Sequence, residues 1–192
     1  MSQRIVLASS SPRRTELLRA TGLGFEVIHP SSNETVSDGE APEEFVLRVS
    51  LEKACSVSSA LGDGAAIVIG ADTIVVVDGE ILGKPGDTEE ASSMLRKLSG
   101  KEHRVYTAFS VVRAKNELLH SESVCTAVRV KPLAASEIEG YIKTGEPMDK
   151  AGAYAIQGAG SFIVSGIEGS YSNVVGLPVE ELLEALKKLE IV

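Results

Sequence analysis

The sequence predicts a protein of the α/β class, in which helices pack on a central mixed β-sheet. A short apolar run at residues 5–8 precedes a helix start signal, and a longer one at Ala66–Val77 has the composition of a buried central strand. Segments of helical period lie between and after these runs. With 192 residues and no repeats, the chain can form one α/β domain or one core with two lobes. We expect one domain over residues 1–192.

The composition limits the classes of partner. The chain has 27 acidic and 19 basic residues, a formal net charge of −8 and no long basic run, which argues against a general nucleic-acid binder. No apolar run is long enough to span a bilayer, and no targeting segment is visible. Cys55 and Cys125 are isolated and lack a CxxC spacing, so we expect core thiols in a reducing cytoplasm.

The first strand ends in the hydroxyls of Ser9, Ser10 and Ser11, and Pro12 follows. Serine at the N-cap before proline at the first helical position favours a helix start, because the serine oxygen accepts a backbone N–H that has no partner in the helix. We therefore expect a helix from Ser11 to about Thr21. Its inward face should carry Leu17, Leu18 and Ala20.

Arg13 and Arg14 occupy the first turn of that helix, where the helix dipole disfavours cations. Together with free N–H groups and the hydroxyls, two guanidinium groups there suit a bound phosphate. The alternative is a solvated helix start with both arginines pointing away.

The remaining elements follow from apolar period and turn residues. We expect a strand at 25–28, a loop at 31–40, a helix at Pro42–Leu61, a strand at Ala66–Val77, a helix opened by Thr88, a hairpin of 105–114 with 118–130, a helix capped by Ser136, a strand at 162–167, a connector at 169–176 and a helix at 178–189 with Pro178 near its first position.

Asp72 and Thr73 interrupt the most apolar strand. A carboxylate there costs several kcal/mol if it is dry and unpaired, so it should meet a metal, a lysine or water. The tight turn at Asp78-Gly79 then sends the chain back, which returns Lys84 towards the middle of the same strand.

Several polar residues are not explained by the pattern of helices and strands. The segment 146–160 mixes small and charged residues without a period, as binding loops do. The cations suit a polyphosphate, whereas Glu34 and Asp72 suit a hard divalent metal and a general base. Neither a Walker A motif nor a GxGxxG follows a strand, so the residues alone indicate only metal-assisted phosphate chemistry. The full set is Arg13, Arg14, Glu34, Lys53, Asp72, Thr73, Lys84, Asp149, Lys150 and Gln157.

Motifs spread over nearly the whole chain resemble the Maf family of nucleoside triphosphate pyrophosphatases. They are Leu7-Ala8-Ser9-Ser10-Ser11-Pro12-Arg13-Arg14, Glu52-Lys53-Ala54, Gly70-Ala71-Asp72-Thr73, Gly83-Lys84-Pro85 and Asp149-Lys150-Ala151-Gly152-Ala153-Tyr154. The resemblance implies a fold like that of the inosine triphosphate pyrophosphatases, with an elongated mixed sheet, two lobes around a cleft and frequent homodimers. It also implies a house-cleaning hydrolysis between the α and β phosphates, with Mg²⁺ or Mn²⁺.

The resemblance also implies roles for individual residues. Asp72 would be the general base and a metal ligand, and Glu34 a second metal ligand, although Asn33 stands where family members often carry another acid. Lys53 and Lys84 would bind the polyphosphate. The residues expected to bind or select substrate are Ser9, Ser11, Arg13, Arg14, Thr73, Asp149, Lys150 and Gln157.

The stretch 153–158 resembles the branch of the family that acts on dTTP and UTP rather than on 7-methyl-GTP. The Gln157 amide presents a donor beside an acceptor, which matches the O4 and N3–H of thymine or uracil. The resemblance associates Thr73 and Arg13 with the same choice.

Each role has a structural alternative. Asp72 could pair with a lysine for structure, Glu34 could be a plain loop glutamate, and Lys53 could be a solvated helix lysine. Asp149 and Lys150 could clamp their loop by pairing, and a tyrosine at 154 could stack on a base or pack in the core. The rival function is a nucleotide-binding regulator of cell division whose hydrolysis is incidental.

Overall fold

Strands and helices alternate along the chain. The computed structural model describes residues 3–62 and 66–192. The strands are β1 Arg4–Ala8, β2 Glu26–Ile28, β3 Ala66–Val77, β4 Glu80–Leu82, β5 Glu102–Arg113, β6 Glu117–Val130 and β7 Val164–Glu168. The helices are α1 Pro12–Arg19, α2 Pro42–Leu61, α3 Thr88–Leu98, α4 Ala135–Lys143, α5 Tyr171–Val175 and α6 Val179–Lys188. In this part of the chain, every helix is too short or too polar to cross a membrane.

The strands form a mixed sheet in the order β2-β1-β3-β5-β6-β7, and β4 also pairs with β3. β1 is parallel to both β2 and β3, whereas β4 is antiparallel to β3 and β7 is antiparallel to β6. The predicted α/β class with a mixed sheet is confirmed.

The chain divides into two compact units. The first unit contains the chain up to Asp72, Thr107–Val124 and Gly176–Val192, and the second contains Thr73–Tyr106 and Cys125–Val175. The boundaries fall within β3, β5 and β6, so each of these long strands contributes residues to both units.

The first unit buries both faces of its part of the sheet. Ile5 and Leu7 of β1 lie beside Ile67 and Ile69 of β3 in parallel register, and this face packs with buried Leu18 of α1. Because side chains alternate along a strand, the residues between them point to the other face. That face, which includes Val6 and Val68, packs with Ala54 and Val57 of α2.

Gly70 allows α2 to approach β3 closely. A Cβ on Gly70 would lie 2.3 Å from the Ser50 carbonyl oxygen and 2.6 Å from the Ala54 nitrogen. Both are backbone atoms that cannot move without shifting the helix. Asp72 follows two positions later on β3, so its side chain emerges on the same face as α2.

The second unit has its own core. Val75 and Val77 of β3 pack with Leu95 and Leu98 of α3, and Tyr141 of α4 is buried in the same cluster. The predicted helix that begins at Thr88 is confirmed. Asp87 caps this helix, because its side chain accepts a hydrogen bond from the Glu90 N–H at 2.8 Å.

α2 and β3 have the predicted bounds. At α1, Ser11 is the N-cap residue, but its side chain makes no capping hydrogen bond. Its own N–H instead donates to Ser9 Oγ at 3.1 Å. The expectation for Ala20 was wrong: α1 ends at Arg19, and Ala20 is an exposed C-cap residue.

Several boundaries of later helices and strands that were predicted from local sequence signals were wrong. Ala134, not Ser136, is the N-cap residue of α4, and the Glu137 side chain accepts from the Ala134 N–H. β7 begins at Val164 because residues 158–162 form a 3₁₀ turn. The predicted connector contains the short helix α5, and Pro178 is the N-cap residue of α6.

The assignment of both cysteines to the core was wrong for Cys125, whereas Cys55 packs against the apolar cluster that includes Ala54 and Val57. Cys125 is exposed and Cys55 is partly buried. On β6, the alternation that buries Thr126 and Val128 turns Cys125 to the opposite face. Burial raises the pKa of the Cys55 thiol.

We expect Gly70→Ala to destabilise the protein by about 3 kcal/mol, because the new methyl group would overlap backbone atoms of α2. Gly24→Ala is the matched control, since a Cβ there has no heavy atom within 4 Å. Urea unfolding measures both variants. Equal midpoints for Gly70→Ala and wild type would contradict the close approach of helix and strand.

Candidate active site

Lys53 holds two carboxylates together in the first unit. Its Nζ lies 2.7 Å from Asp72 Oδ1 and 2.8 Å from Glu34 Oε1. The side chains of Lys53 and Asp72 are only 8% and 9% exposed, whereas that of Glu34 is 49% exposed. The site is therefore one buried ammonium group with one buried and one solvent-facing carboxylate.

The backbone explains why Lys53 and Asp72 meet. The pairing of β1 with β3 reaches Gly70, opposite Ala8, so Asp72 lies just beyond the end of β1. The close approach at Gly70 brings α2, and with it Lys53, to the same face of β3. The expectation that the strand carboxylate meets a lysine, a metal or water is confirmed, and the partner is Lys53. The alternative of a solvated Lys53 was wrong, because this lysine is buried.

Arg48 of α2 holds the loop that carries Glu34. Its guanidinium group donates to the carbonyl oxygens of Asn33 at 3.3 Å and Thr35 at 3.0 Å, which lie on either side of Glu34. It also donates to both oxygens of Glu40, at 2.6 and 2.9 Å, and to Glu52 at 2.9 Å. Glu34 therefore projects from a backbone that is fixed on both sides.

The charges of this network reinforce one another. Hydrogen bonds from the Arg48 side chain and from the Ser37 N–H lower the pKa of Glu40 to about 2. The bonds to Glu40 and Glu52 raise the pKa of Arg48 above its ordinary value. Arg48 and Glu40 are therefore both charged at neutral pH.

Arg14 interacts electrostatically with the two carboxylates of the site. Loss of hydration lowers its pKa and Arg13 lowers it further, while the charges of Asp72 and Glu34 act in the opposite direction. Arg14 Nε donates to the Gly176 carbonyl oxygen at 2.7 Å, which ties α1 to the segment before α6. The guanidinium group thus makes a structural hydrogen bond and also interacts electrostatically with the two acids.

Ser9 and Ser11 lie at the start of α1. Ser9 is buried, and its Oγ accepts from the Ser11 N–H. Both serines line a surface hollow of about 320 Å³, together with Thr15, Arg19 and His29. The hollow is within the size range of small-ligand sites.

In the second unit, β4 brings the Lys84 segment alongside β3. The antiparallel register pairs Val75 with Leu82, the last residue of β4, and Lys84 follows two positions later. Lys84 is exposed and Thr73 is partly exposed.

A backbone hydrogen bond joins the Lys84 segment to the segment of Asp149 and Lys150. The Gly152 N–H donates to the Gly83 carbonyl oxygen at 3.0 Å. Gly152 has a φ of +68°, and a Cβ on it would lie 3.0 Å from the Val75 side chain. Glycine is needed here for both reasons, because the backbone is left-handed and the contact is tight.

Asp149 and Lys150 pair with each other, as one of the two interpretations expected. Lys150 Nζ lies 2.6 Å from Asp149 Oδ1 and donates to the Glu146 carbonyl oxygen at 2.8 Å. The pair clamps its loop, and the carboxylate of Asp149 remains largely exposed.

Tyr154 packs in the core of the second unit. It is 6% exposed, and its hydroxyl lies 2.7 Å from His103 Nε2. The two rings meet edge to face at 5.2 Å, and burial lowers the pKa of His103 to about 4. Of the two alternatives for this tyrosine, the structure contains the core packing.

Gln157 is exposed on a short segment between 3₁₀ turns. The Glu146 side chain accepts from the N–H groups of Ala159 at 2.9 Å and Gly160 at 3.0 Å. The segment after Gln157 is thus hydrogen-bonded to the carboxylate of Glu146, which lies eleven positions before Gln157 in the sequence.

Among the described residues, no group of three or more His, Cys, Asp or Glu is arranged to hold a metal ion. Glu34 and Asp72 nevertheless converge on one cation, the Lys53 ammonium group. Their donor set fits Mg²⁺, which often takes only one or two carboxylates and completes its coordination with water and substrate phosphates.

Sequence reasoning missed Arg48, Glu40, Tyr141 and Glu146. Arg48 and Glu52 have the spacing of a helix ion pair, but that signal does not reveal the bonds from Arg48 to loop carbonyl groups. Glu146 follows the left-handed Gly145 and precedes Pro147, a context that indicates a turn and no more.

We expect Arg48→Gln to raise the pKa of Glu40 from about 2 towards its ordinary 4.5, because the charged donor is lost. The depressed pKa stabilises the loop fully above about pH 4.5, and this stabilisation is lost as the pH falls towards 2. Carboxyl NMR titration measures the shift. Arg113→Gln, which removes an exposed pair with Glu117, is the control and should leave Glu40 unchanged. A Glu40 pKa that stays near 2 in Arg48→Gln would contradict the network.

Comparison with known proteins places these residues in a family context. The family model described as "Maf-like protein" matches residues 4–189. The dTTP/UTP pyrophosphatase of Syntrophus aciditrophicus (strain SB) is 47% identical over 98% of this chain and 91% of its own. That of Thermoanaerobacter sp. (strain X514) is 52% identical over 96% of each chain. Among solved structures, the nucleoside-triphosphatase (dITP/XTP pyrophosphatase) of Mycobacterium abscessus is similar, with 14% identity, a TM-score of 0.44 and coverage of 98% of this chain and 96% of that one. The chain belongs to the family of Maf-like proteins.

Proposed function

We propose that this protein is a nucleoside triphosphate pyrophosphatase that hydrolyses dTTP and UTP to the monophosphate and pyrophosphate. Relatives with 47% and 52% identity over nearly the whole chain bear the name dTTP/UTP pyrophosphatase, which supports this substrate class. The observation that carries the chemistry is the pairing of buried Lys53 with Asp72 and Glu34.

Asp72 is the proposed general base. Lys53 binds its Oδ1, so we assign the proton of the attacking water to Oδ2. As the water oxygen bonds to the α-phosphorus, the bond from that phosphorus to the β-bridging oxygen breaks, and pyrophosphate leaves with the electron pair. The strand and the lysine hold the carboxylate in one orientation, which is the positioning that general-base catalysis requires.

Cations are proposed to bind the polyphosphate. Lys53, Lys84 and Arg13 offset the charge on the phosphates and on the leaving pyrophosphate. Lys84 is suited to this role because it is exposed on a segment held by the Gly152–Gly83 backbone hydrogen bond. Further proposed substrate contacts are the hydroxyl groups of Ser9 and Ser11 and the cationic side chains of Arg14 and Lys150.

Glu34 and Asp72 are the residues that would hold a divalent cation, Mg²⁺ or Mn²⁺, with the substrate phosphates as further ligands. When bound, such a cation supplies charge neutralisation and polarises phosphoryl oxygens.

Gln157 is proposed to recognise the nucleobase of the substrate. Its amide can accept from the base N3–H and donate to O4, and a base with the opposite pattern would leave polar groups unpaired. Its exposed position supports this role, and Thr73 is proposed to contribute to the same selectivity.

The test is pyrophosphate release from a panel of nucleoside triphosphates, with Mg²⁺ or Mn²⁺ and after chelation. We expect turnover of dTTP and UTP that requires the divalent cation. Asp72→Asn should lower kcat by about 10²–10⁴-fold, because the amide cannot accept the proton.

Asp78→Asn is the matched control. Asp78 is an exposed aspartate whose φ of 50° asparagine tolerates well, so its turnover should equal that of wild type. Unfolding curves of both variants check the fold. Near-normal activity of Asp72→Asn would contradict the base assignment, and absence of turnover of dTTP and UTP by wild type would contradict the proposed function.

A further inference from the structure

Tyr141 and Glu146 form a bonded frame around the segment that carries Gln157. The Tyr141 hydroxyl donates to Glu146 Oε1 at 2.9 Å and accepts from the Ala155 N–H at 3.1 Å. Glu146 in turn accepts from the N–H groups of Ala159 and Gly160. The backbone is therefore held two positions before Gln157 and again two and three positions after it.

The glycines of the segment make this frame possible. A Cβ on Gly158, whose φ is +67°, would lie 2.5 Å from Glu146 Oε2. A Cβ on Gly160 would lie 2.6 Å from the Tyr141 hydroxyl and 2.5 Å from the Ala155 carbonyl oxygen. The carboxylate and the phenol can reach the backbone only because both positions lack side chains.

The frame combines a buried tyrosine with a charged glutamate. Tyr141 is buried, and its ring meets that of Phe162 edge to face at 6.1 Å. Burial raises the pKa of Glu146, but the bonds from Ala159, Tyr141 and Gly160 and the charge of Lys150 outweigh it, so the net shift is downward. An ionised carboxylate only accepts hydrogen bonds, which is what three donors around it require. Lys150 also binds the Glu146 carbonyl oxygen.

We propose that Tyr141 and Glu146 are positioning residues for nucleobase selection, which act by fixing the backbone of residues 155–160 so that Gln157 presents its amide in one orientation. This inference rests on the proposed function, because it assigns Gln157 to the base. It adds two residues, on α4 and the following turn, whose side chains hold the backbone on either side of Gln157. A recognition group selects its ligand only while the surrounding residues hold it in place, so the frame matters although it touches no substrate.

The test compares Glu146→Gln and Tyr141→Phe with wild type on dTTP, UTP, dCTP and dATP. We expect kcat/KM for dTTP and UTP to fall about tenfold through a higher KM, because a loosened segment no longer holds the matching donor and acceptor in place. The values for dCTP and dATP and the kcat for dTTP should change less than about twofold, since the groups of the reaction itself are untouched. If the two residues had only a structural role, kcat/KM would fall equally for all four nucleotides. That result would overturn the proposal.

Two matched controls use the same chemical changes in the second unit. Glu139→Gln alters an exposed glutamate of α4, and Tyr171→Phe alters a tyrosine that is 46% exposed. Both should retain the wild-type selectivity. In a Gln157→Ala background, Glu146→Gln should cause no further loss of selectivity, because the frame acts through Gln157; a further tenfold loss would overturn the proposal.

Amide hydrogen exchange separates this inference from the proposed function. The N–H groups of Ala155, Ala159 and Gly160 should exchange at least about tenfold faster in the two variants than in wild type. Their exchange rates in the two controls should equal those of wild type. Unchanged exchange would overturn the positioning claim whatever the substrates are. A wild-type enzyme without preference for dTTP and UTP, but with the expected exchange, would instead overturn the proposed function and the role in base selection while leaving the frame itself intact.

Discussion

Burial of the Lys53 ammonium group between two carboxylates is the interaction on which the candidate site of the first unit depends. Removal of one partner from a buried ion pair typically costs about 3–5 kcal/mol, since the remaining charge stays desolvated. Here the cluster of three charges needs three elements at once: α2 supplies Lys53, β3 supplies Asp72 and the loop before α2 supplies Glu34. Gly70 sets the separation of helix and strand, so a residue with no side chain determines whether the charges meet.

A second feature occurs in each of the two units. Charged side chains that are not themselves candidates for chemistry bond to main-chain groups of the loops that carry the candidates. Arg48 donates to carbonyl oxygens on both sides of Glu34, and Glu146 accepts from N–H groups after Gln157. Loops fixed in this way can present an exposed side chain in a defined orientation without burying it, which suits residues that must reach a ligand.

Much of the fold could be predicted from the sequence, because α2 has a long apolar period and β3 is the most apolar run of the chain. The errors lie where a few local residues compete, as at α4, where Ala134 and not Ser136 is the N-cap residue, and at α5, which is only five residues long. For Asp72 the sequence required a partner, and its choice of Lys53 depends on the approach at Gly70, which periodicity does not give. The roles of Arg48 and Glu146 could not be predicted, since side-chain bonds to distant backbone leave no periodic signal. The roles of Thr73, Lys84 and Gln157 stay predictions from the family resemblance.

The central claim is that the catalytic contributions of Lys53 and Asp72 depend on each other. A double-mutant cycle on kcat/KM for dTTP tests this claim most directly. The cycle compares wild type, Lys53→Met, Asp72→Asn and the double variant. Groups that act together show strongly non-additive losses. The account predicts that the double variant is about as impaired as the worse single variant. Losses that multiply would contradict it, because Lys53 and Asp72 would then contribute independently.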